Sequence, residues 1–126
     1  MNRALTAAVL ALAAHAVAAQ TDFPTRRITL VVPAAPGGGL DGTARMLGKK
    51  MTEAWGQPVV VENLGGADGL IATKRVAGAA ADGYTMLVTT NTTQAANVSL
   101  YKKLPYDPVK DFTPIGMIGL TGFVLM

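Results

Sequence analysis

The feature that most constrains the fold is a unit of strand, loop and helix that occurs three times. Apolar runs typical of strands lie at residues 28–33 (ITLVVP), 59–63 (VVVEN) and 84–90 (YTMLVTT). They recur at intervals of roughly 25 to 30 residues, which leaves room for one crossover helix between successive strands. The pattern predicts α/β architecture with a parallel sheet and right-handed crossovers.

Helical patterns follow the strands. From about residue 41 to 55, apolar side chains recur on one helix face, with Asp41 as the expected N-cap and Gly56 as the expected terminal glycine. An alanine-rich helix is expected from about residue 69 to 81, before Asp82 and Gly83 stop it. A short helix is expected within 91–103, and one or two glycine-interrupted strands within 115–126.

The N-terminal stretch has the layout of a secretory signal peptide. Residues 1–19 carry Arg3 near the start, an apolar segment from about Ala4 to Ala14, and a cleavage motif of the A-x-A type at 16–18. A membrane-spanning helix needs about 20 apolar residues, so this segment is too short to be one. A buried or interfacial N-terminal helix is the alternative. The signal predicts Sec-type export to the periplasm.

The composition excludes several kinds of function. The chain has no cysteine, which excludes disulfides and a lipid anchor on cysteine, and its single histidine, His15, lies in the predicted signal. A Ser-His-Asp triad, a cysteine nucleophile and His or Cys metal sites are therefore excluded from the mature chain. Removing Arg3 from eleven basic residues leaves ten against eight acidic ones, and this small net charge does not indicate nucleic-acid binding. We expect neither a metal nor a cofactor.

Three loops are expected to meet at one edge of the sheet. The segments PAAPGGGLDG (33–42), LGGADG (64–69) and TTNTT (89–93) each follow a predicted strand. Parallel sheets bind ligands at the carboxyl ends of their strands, and helix N-terminal amides carry a partial positive charge. The loops therefore predict an anion site, with tight strand-to-helix turns as the plainer alternative.

The first loop also contains the dinucleotide-binding pattern GxGxxG, formed by Gly37, Gly39 and Gly42. Glu62 follows about 20 residues later, where an acidic residue would meet a ribose hydroxyl. Three features oppose this hypothesis. Residues 33–36 separate the strand from the glycines, the second loop is as rich in glycine as the first, and the periplasm is poor in nicotinamide cofactors. A P-loop is excluded because no Gly-Lys-Ser/Thr follows the glycines.

The motifs PGGG-x-D, WGQPVVVEN, DGYT and LPYDPVKDF occur in that order along the chain. In order and spacing, residues 23 to about 117 resemble the substrate-binding proteins of tripartite tricarboxylate transporters, the Bug family. The resemblance implies a periplasmic-binding-protein fold of type II, in which two α/β lobes close on a small ligand, commonly a carboxylate. Such proteins deliver the ligand to membrane transporter subunits or to a sensor protein, and they are not enzymes.

The resemblance also sets the expected domain organisation. Family members are more than twice as long as this chain, so we expect a truncated protein whose second lobe is largely missing. The expected parts are a signal peptide (1–19), a first α/β ligand-binding lobe (20–111) and the start of the crossover towards the missing second lobe (112–126). Alone, such a chain is expected to be poorly stable and to bind ligand weakly or not at all.

The resemblance implies a role for each loop. Amides of the first loop bind the ligand carboxylate while Asp41 orders the loop, the second loop faces the first, and the third adds hydroxyl and amide groups. Water commonly bridges the ligand and the loops. The predicted ligand-binding residues are Ala35, Pro36, Gly37, Gly38, Gly39, Asp41, Gly66, Ala67, Asp68, Gly69, Thr90, Asn91 and Thr92.

Four residues depart from the family pattern. Ala34 stands where an aromatic residue is usual, Leu40 where Thr or Ser is usual, and Leu64 where Arg is usual. Asp68 stands where a small residue is usual. Its charge is expected to weaken anion binding, or its side chain caps the second helix, which is the interpretation that we favour.

The leading prediction is an extracytoplasmic solute-binding protein that captures a small carboxylate. An exported α/β enzyme is an alternative, and it would use carboxylates such as Asp41 and Asp68 as general acid or base. No carboxylate pair in the sequence has an evident reason for a perturbed pKa. A fragment without function is a further alternative.

Overall fold

The computed structural model describes residues 23–120, so the predicted signal peptide with His15 and residues 121–126 lie outside the described part. The described elements are β1 (Ile28–Val32), α1 (Gly39–Trp55), β2 (Val59–Asn63), α2 (Leu70–Ala77), β3 (Thr85–Leu87) and α3 (Asn97–Leu100). A 3-10 turn (Ala67–Gly69) precedes α2, and a π-helical turn (Thr92–Ala96) precedes α3. Within residues 23–120 no helix combines the length and the apolar character needed to cross a membrane.

The three strands form one parallel sheet in the order β2-β1-β3. Between β1 and β2, Val32 pairs with Asn63, and between β1 and β3, Thr29 pairs with Thr85. This register aligns the carboxyl ends of all three strands at one edge. The predicted α/β architecture with a parallel sheet is confirmed.

The central strand β1 is buried on both faces. Leu30 and Val32 enter a core with Ala44 of α1 and with Val88. Val31 points to the opposite face because side chains alternate along a strand, and it is completely buried as well. Helix α1 packs against β1 and β2, and α2 packs against β1 and β3. Cover on both faces explains why four of the five residues of β1 are apolar.

The structure corrects the limits of both longer helices. Helix α1 begins at Gly39 with Gly38 as its N-cap, so Asp41 lies in the first turn and is not the cap. Gly56 ends α1 as predicted, with a left-handed φ of 67° and its N–H donating to Thr52 O. Helix α2 ends at Ala77 and does not continue to residue 81, because Gly78 follows and glycine has a low helix propensity.

The later strands are shorter than predicted. β3 ends at Leu87, although the backbone N–H of Val88 still donates to Val31 O, and residues 89 and 90 lead into the third loop. No strand forms within residues 115–120, because no strand of the described part pairs with them. Their apolar side chains are exposed, with 78% of Ile115 and 87% of Leu120 accessible to solvent.

Substituting Leu30 with alanine tests the position of the core. Leu30 is 1% exposed, so we expect the Leu30→Ala variant to lose about 2–5 kcal/mol of unfolding free energy. Leu100→Ala is the matched control, because this leucine is 68% exposed. Its change is expected to stay within about 0.5 kcal/mol. Urea unfolding followed by circular dichroism measures both, and equal losses would contradict the assigned core.

Candidate functional site

The carboxyl ends of the three strands open into a pocket of about 540 Å³. Pro33 and Leu40 line it from the segment between β1 and α1, residues 66–69 from the segment after β2, and Thr90 and Thr92 from the segment after β3. The three loops therefore meet at one edge of the sheet. This edge is the one expected from the sequence, because each loop follows a parallel strand.

The predicted site residues divide into two groups. Those that line the pocket are Gly66, Ala67, Asp68, Gly69, Thr90 and Thr92. Those that do not line it are Ala35, Pro36, Gly37, Gly38, Gly39, Asp41 and Asn91. Residues 35–38 form an exposed turn, Gly39 begins α1 and is exposed as well, and Asp41 is buried. The sequence did not identify Pro33, Ala34, Leu40 and Thr93, which also line the pocket.

Asp41 ties the first loop to α1 and β2. Its Oδ2 accepts hydrogen bonds from the Gly37 amide and from Arg45 Nε, each at 2.9 Å. Its Oδ1 accepts one from Asn63 Nδ2, also at 2.9 Å. The same Asn63 nitrogen lies 3.2 Å from Ala34 O, to which it donates. The Gly37 amide is thus already engaged by Asp41. This contact agrees with the expectation that Asp41 orders the first loop.

The donors around Asp41 lower the pKa of its carboxyl group to about 2 from an ordinary value of 3.8. The hydrogen bond from Arg45 contributes most, followed by those from the Gly37 amide and Asn63, while burial opposes them. The pKa of Arg45 is raised by the same hydrogen bond. A carboxylate held so firmly in its charged form is a poor proton donor or acceptor near neutral pH. Asp41 therefore has the properties of a structural anchor.

Two helices begin at the pocket, and their first amides differ in how they are engaged. Helix α1 starts beside Leu40, and α2 starts directly after Gly69. Neither N-cap residue, Gly38 or Gly69, makes a side-chain capping bond. Before α2, however, the 3-10 turn engages the Gly69 amide with Gly66 O and the Leu70 amide with Ala67 O. The first amides of a helix have no intrahelical partner and carry a partial positive charge. The first amides of α1 are therefore donors that an anion in the pocket can use, and the N-terminus of α2 adds partial positive charge.

The second loop has a strained backbone. Four consecutive residues have positive φ: 111° at Gly66, 47° at Ala67, 50° at Asp68 and 83° at Gly69. For alanine and aspartate the left-handed region costs about 1–2 kcal/mol per residue. Such strain is concentrated at ligand-binding segments in other proteins.

Asp68 does not cap α2, which corrects the interpretation favoured from the sequence. The cap residue Gly69 has no side-chain capping bond. The Asp68 carboxylate instead accepts a 2.6 Å hydrogen bond from the hydroxyl group of Tyr101, the residue directly after α3. Two residues with positive φ, Asp68 and Gly69, precede α2 and turn the aspartate side chain towards α3 and away from the helix amides.

Buried polar side chains hold the second and third loops. Thr73 Oγ1 donates to Gly69 O at 2.8 Å, and Asn97 Nδ2 donates to Asp68 O at 3.1 Å. Thr73 and Asn97 are completely buried. The Tyr106 hydroxyl donates to Thr93 O in the third loop. No local sequence pattern marks Asn97, since it is 29 residues from its partner.

Gly69 is the point where the three loops come together. A Cβ atom added there would overlap Thr93 Cγ2 of the third loop and lie 3.0 Å from Pro33 Cβ of the first. Glycine at this position is required both by this contact and by its positive φ.

A second, smaller cavity of about 330 Å³ lies at the opposite edge of the sheet. Its lining includes Arg26, Arg75 and the paired residues Thr29 and Thr85. Arg26 forms a 2.9 Å ion pair with Asp82. Within residues 23–120 no three His, Cys, Asp or Glu side chains are grouped so that they could hold a metal ion.

The comparison with protein families agrees with the geometry of the loops. The sequence model of the family described as "Tripartite tricarboxylate transporter family receptor" matches residues 43–126. The chain belongs to this family. The resemblance inferred from the sequence motifs is confirmed, and membership in a receptor family argues against the dinucleotide-binding hypothesis.

Relatives of this receptor family include curated proteins and solved structures. BugT of Bordetella pertussis is 38% identical over 130 residues, which cover 100% of this chain and 40% of BugT. MatC of Rhodopseudomonas palustris, solved with bound malate, is 49% identical with a TM-score of 0.70 and covers 73% of this chain and 31% of its own. The periplasmic binding protein BugD is 45% identical with a TM-score of 0.70 and covers 75% and 31%. The fold is therefore a lobe of a periplasmic-binding protein, and the chain spans less than half the length of these relatives.

Replacing Asp41 with asparagine tests the anchor. The folded-state pKa of about 2 lies below the ordinary 3.8, so the carboxylate stabilises the folded chain above the ordinary pKa, and this contribution is lost as the pH falls towards 2. We expect Asp41→Asn to be less stable at neutral pH and to lose less stability than the unaltered chain over this acidic interval. Urea unfolding at a series of pH values measures both effects.

The matched control for Asp41 is Glu53→Gln in the same helix. Glu53 forms an exposed ion pair with Lys50, and such pairs contribute little to stability. If the Glu53 and Asp41 variants were equally destabilised at neutral pH, Asp41 would not anchor the loop.

Replacing Gly69 with alanine tests the junction of the loops. The added Cβ overlaps Thr93 and imposes strain at positive φ, so we expect a loss of about 1–3 kcal/mol or more. Gly42→Ala is the control, because nothing lies within 4 Å of its Cβ and it sits inside α1. That variant is expected to gain about 0.5–1 kcal/mol. A thermal unfolding series in which both variants gain stability would disprove the assigned junction.

Proposed function

We propose that this chain forms a ligand-binding lobe of an extracytoplasmic solute-binding protein that captures a small carboxylate. The observation that carries the proposal is the pocket at the carboxyl ends of three parallel strands, with lining residues from all three loops. Binding of malate by MatC, a relative of similar fold, supports the choice of a carboxylate.

The pocket offers different partners to the two ends of such a ligand. The free amides at the start of α1 and the partial positive charge at the N-terminus of α2 favour a negative group. Thr90 and Thr92 add hydroxyl groups from the third loop. Pro33, Ala34 and Leu40 form an apolar wall that suits the hydrocarbon part of a small organic acid.

We place the protein in the periplasm, where it would deliver its ligand to the membrane subunits of a tripartite tricarboxylate-type transporter or to a sensor protein. The layout of residues 1–19 and the family membership support this location and these partners. We propose no cofactor, no nucleic-acid partner and no lipid anchor.

We propose binding without catalysis. The enzyme alternative relied on Asp41 and Asp68 as acid or base. The depressed pKa of Asp41 and its three hydrogen-bond donors favour an anchoring role. Among the relatives, MatC was solved with malate bound, and BugD is a periplasmic binding protein.

A titration of the purified chain with malate, followed by amide NMR, tests the proposal. We expect weak, saturable binding in the millimolar range, equivalent to about 4 kcal/mol, since one lobe contacts only part of a ligand. The largest shift changes are expected at the amides of Leu40, Gly69, Thr90 and Thr92. Thr92→Val, which removes a pocket hydroxyl, is expected to weaken binding by about 0.5–1.5 kcal/mol.

Thr113→Val is the matched control, because Thr113 is exposed and does not line the pocket. Two results would contradict the proposal. One is the absence of any saturable response to malate. The other is a response centred on Arg26 and Arg75, which would place the anion in the cavity at the opposite edge of the sheet.

A further inference from the structure

The two acidic residues of the loops differ in how their charge is balanced. Asp41 forms an ion pair with Arg45 at 2.9 Å and is 3% exposed. Asp68 is exposed and lines the pocket. The ion pairs found within residues 23–120 involve Asp82, Asp41, Glu53 and Asp107, and none of them involves Asp68. The pocket therefore contains one carboxylate that no basic side chain of the described part neutralises.

The position of Asp68 is fixed from two sides. Its carbonyl oxygen accepts from buried Asn97, and its Oδ2 accepts from the Tyr101 hydroxyl at 2.6 Å. This hydrogen bond raises the pKa of Tyr101, which keeps the hydroxyl protonated as the donor. The contacts hold Asp68 in its strained left-handed conformation with φ of 50°. Asp68 lines the pocket, and its Oδ1 accepts no hydrogen bond found within residues 23–120, so the carboxylate keeps acceptor capacity.

The pocket is consequently asymmetric in charge. Helix N-terminal amides at the starts of α1 and α2 supply partial positive charge, which favours an anionic group. Asp68 supplies a full negative charge, which repels a second anionic group placed near it. A ligand with an anionic group and a hydrogen-bond donor satisfies both features, whereas a ligand with carboxylates alone satisfies one.

We infer that Asp68 is a specificity-determining residue that selects carboxylates bearing an ammonium or hydroxyl donor over those without one. This inference rests on the proposed carboxylate site and names the class of ligand that the site prefers. Asp68 accepts the hydrogen bond from the donor, and a bond to a charged acceptor is stronger than one between neutral groups.

Three dicarboxylates with the same four-carbon skeleton test the inference: succinate, malate and aspartate. Malate adds a hydroxyl to succinate without changing the charge of its carboxylates, and aspartate adds an ammonium group at the same position. Titrations of the full chain, followed by amide NMR, are expected to give a dissociation constant about threefold lower for malate and about tenfold lower for aspartate than for succinate.

Two variants separate the charge of Asp68 from its capacity to accept. Asp68→Asn keeps an acceptor and removes the charge, so the aspartate preference should fall to near the level of the malate preference. Asp68→Gly removes the acceptor and suits the positive φ, so the three ligands should bind almost equally. Asp82→Asn, at the opposite edge of the sheet, is the control and should keep the preferences of the unaltered chain.

The possible failures are distinguishable. Equal binding of the three ligands to the unaltered chain overturns the role of Asp68 and leaves the carboxylate site standing. Absence of binding by all three overturns both. Preferences that persist in Asp68→Gly also overturn the inference, and the ligand series on the unaltered chain decides the question even if a variant does not fold.

Discussion

The loops at the carboxyl edge of the sheet depend on one buried carboxylate. Asp41 joins three segments that meet after β1: the first loop through the Gly37 amide, α1 through Arg45 and the end of β2 through Asn63. A buried carboxylate without such donors is costly, so loop, helix and strand have to keep this arrangement for the charge to be accommodated. Asn63 lies opposite Val32 in the sheet. The hydrogen bonds of Asn63 therefore fix the first loop relative to the pairing of β1 and β2.

The central strands were predictable because burial leaves a direct mark on the sequence. Cover on both faces makes β1 almost entirely apolar, with Thr29 as the exception, and β2 was predicted with its observed limits. The ends of other elements depend on side-chain partners that a local pattern does not contain. Helix α1 starts at Gly39 while the Asp41 carboxylate bonds to the Gly37 amide of the loop and not to helix amides. Helix α2 stops at Ala77 although the alanine-rich sequence continues.

The site was predictable at the level of loops and not of side-chain pairs. A loop that follows a parallel strand has to lie at the carboxyl edge, which located all three. Asn63 gave a weak signal, as a polar residue where a strand meets a glycine loop. Tyr101 gave none, since it is 33 residues from Asp68 and only the fold brings them together. Residues 35–39 were predicted to bind through free amides, but the Gly37 amide is engaged by Asp41, and it is Leu40 that lines the pocket.

The strained second loop shows that the pocket depends on residues far from it along the chain. Left-handed Ala67 and Asp68 together cost about 2–4 kcal/mol, which the loop alone has no means to offset. Hydrogen bonds from Thr73, Asn97 and Tyr101 to the loop, each worth about 0.5–1.5 kcal/mol, are of the size needed. Since two of these donors come from α3 and the residue after it, the conformation of the second loop requires α3 to be docked. Any change that loosens α3 should therefore alter the pocket even though α3 lies outside it.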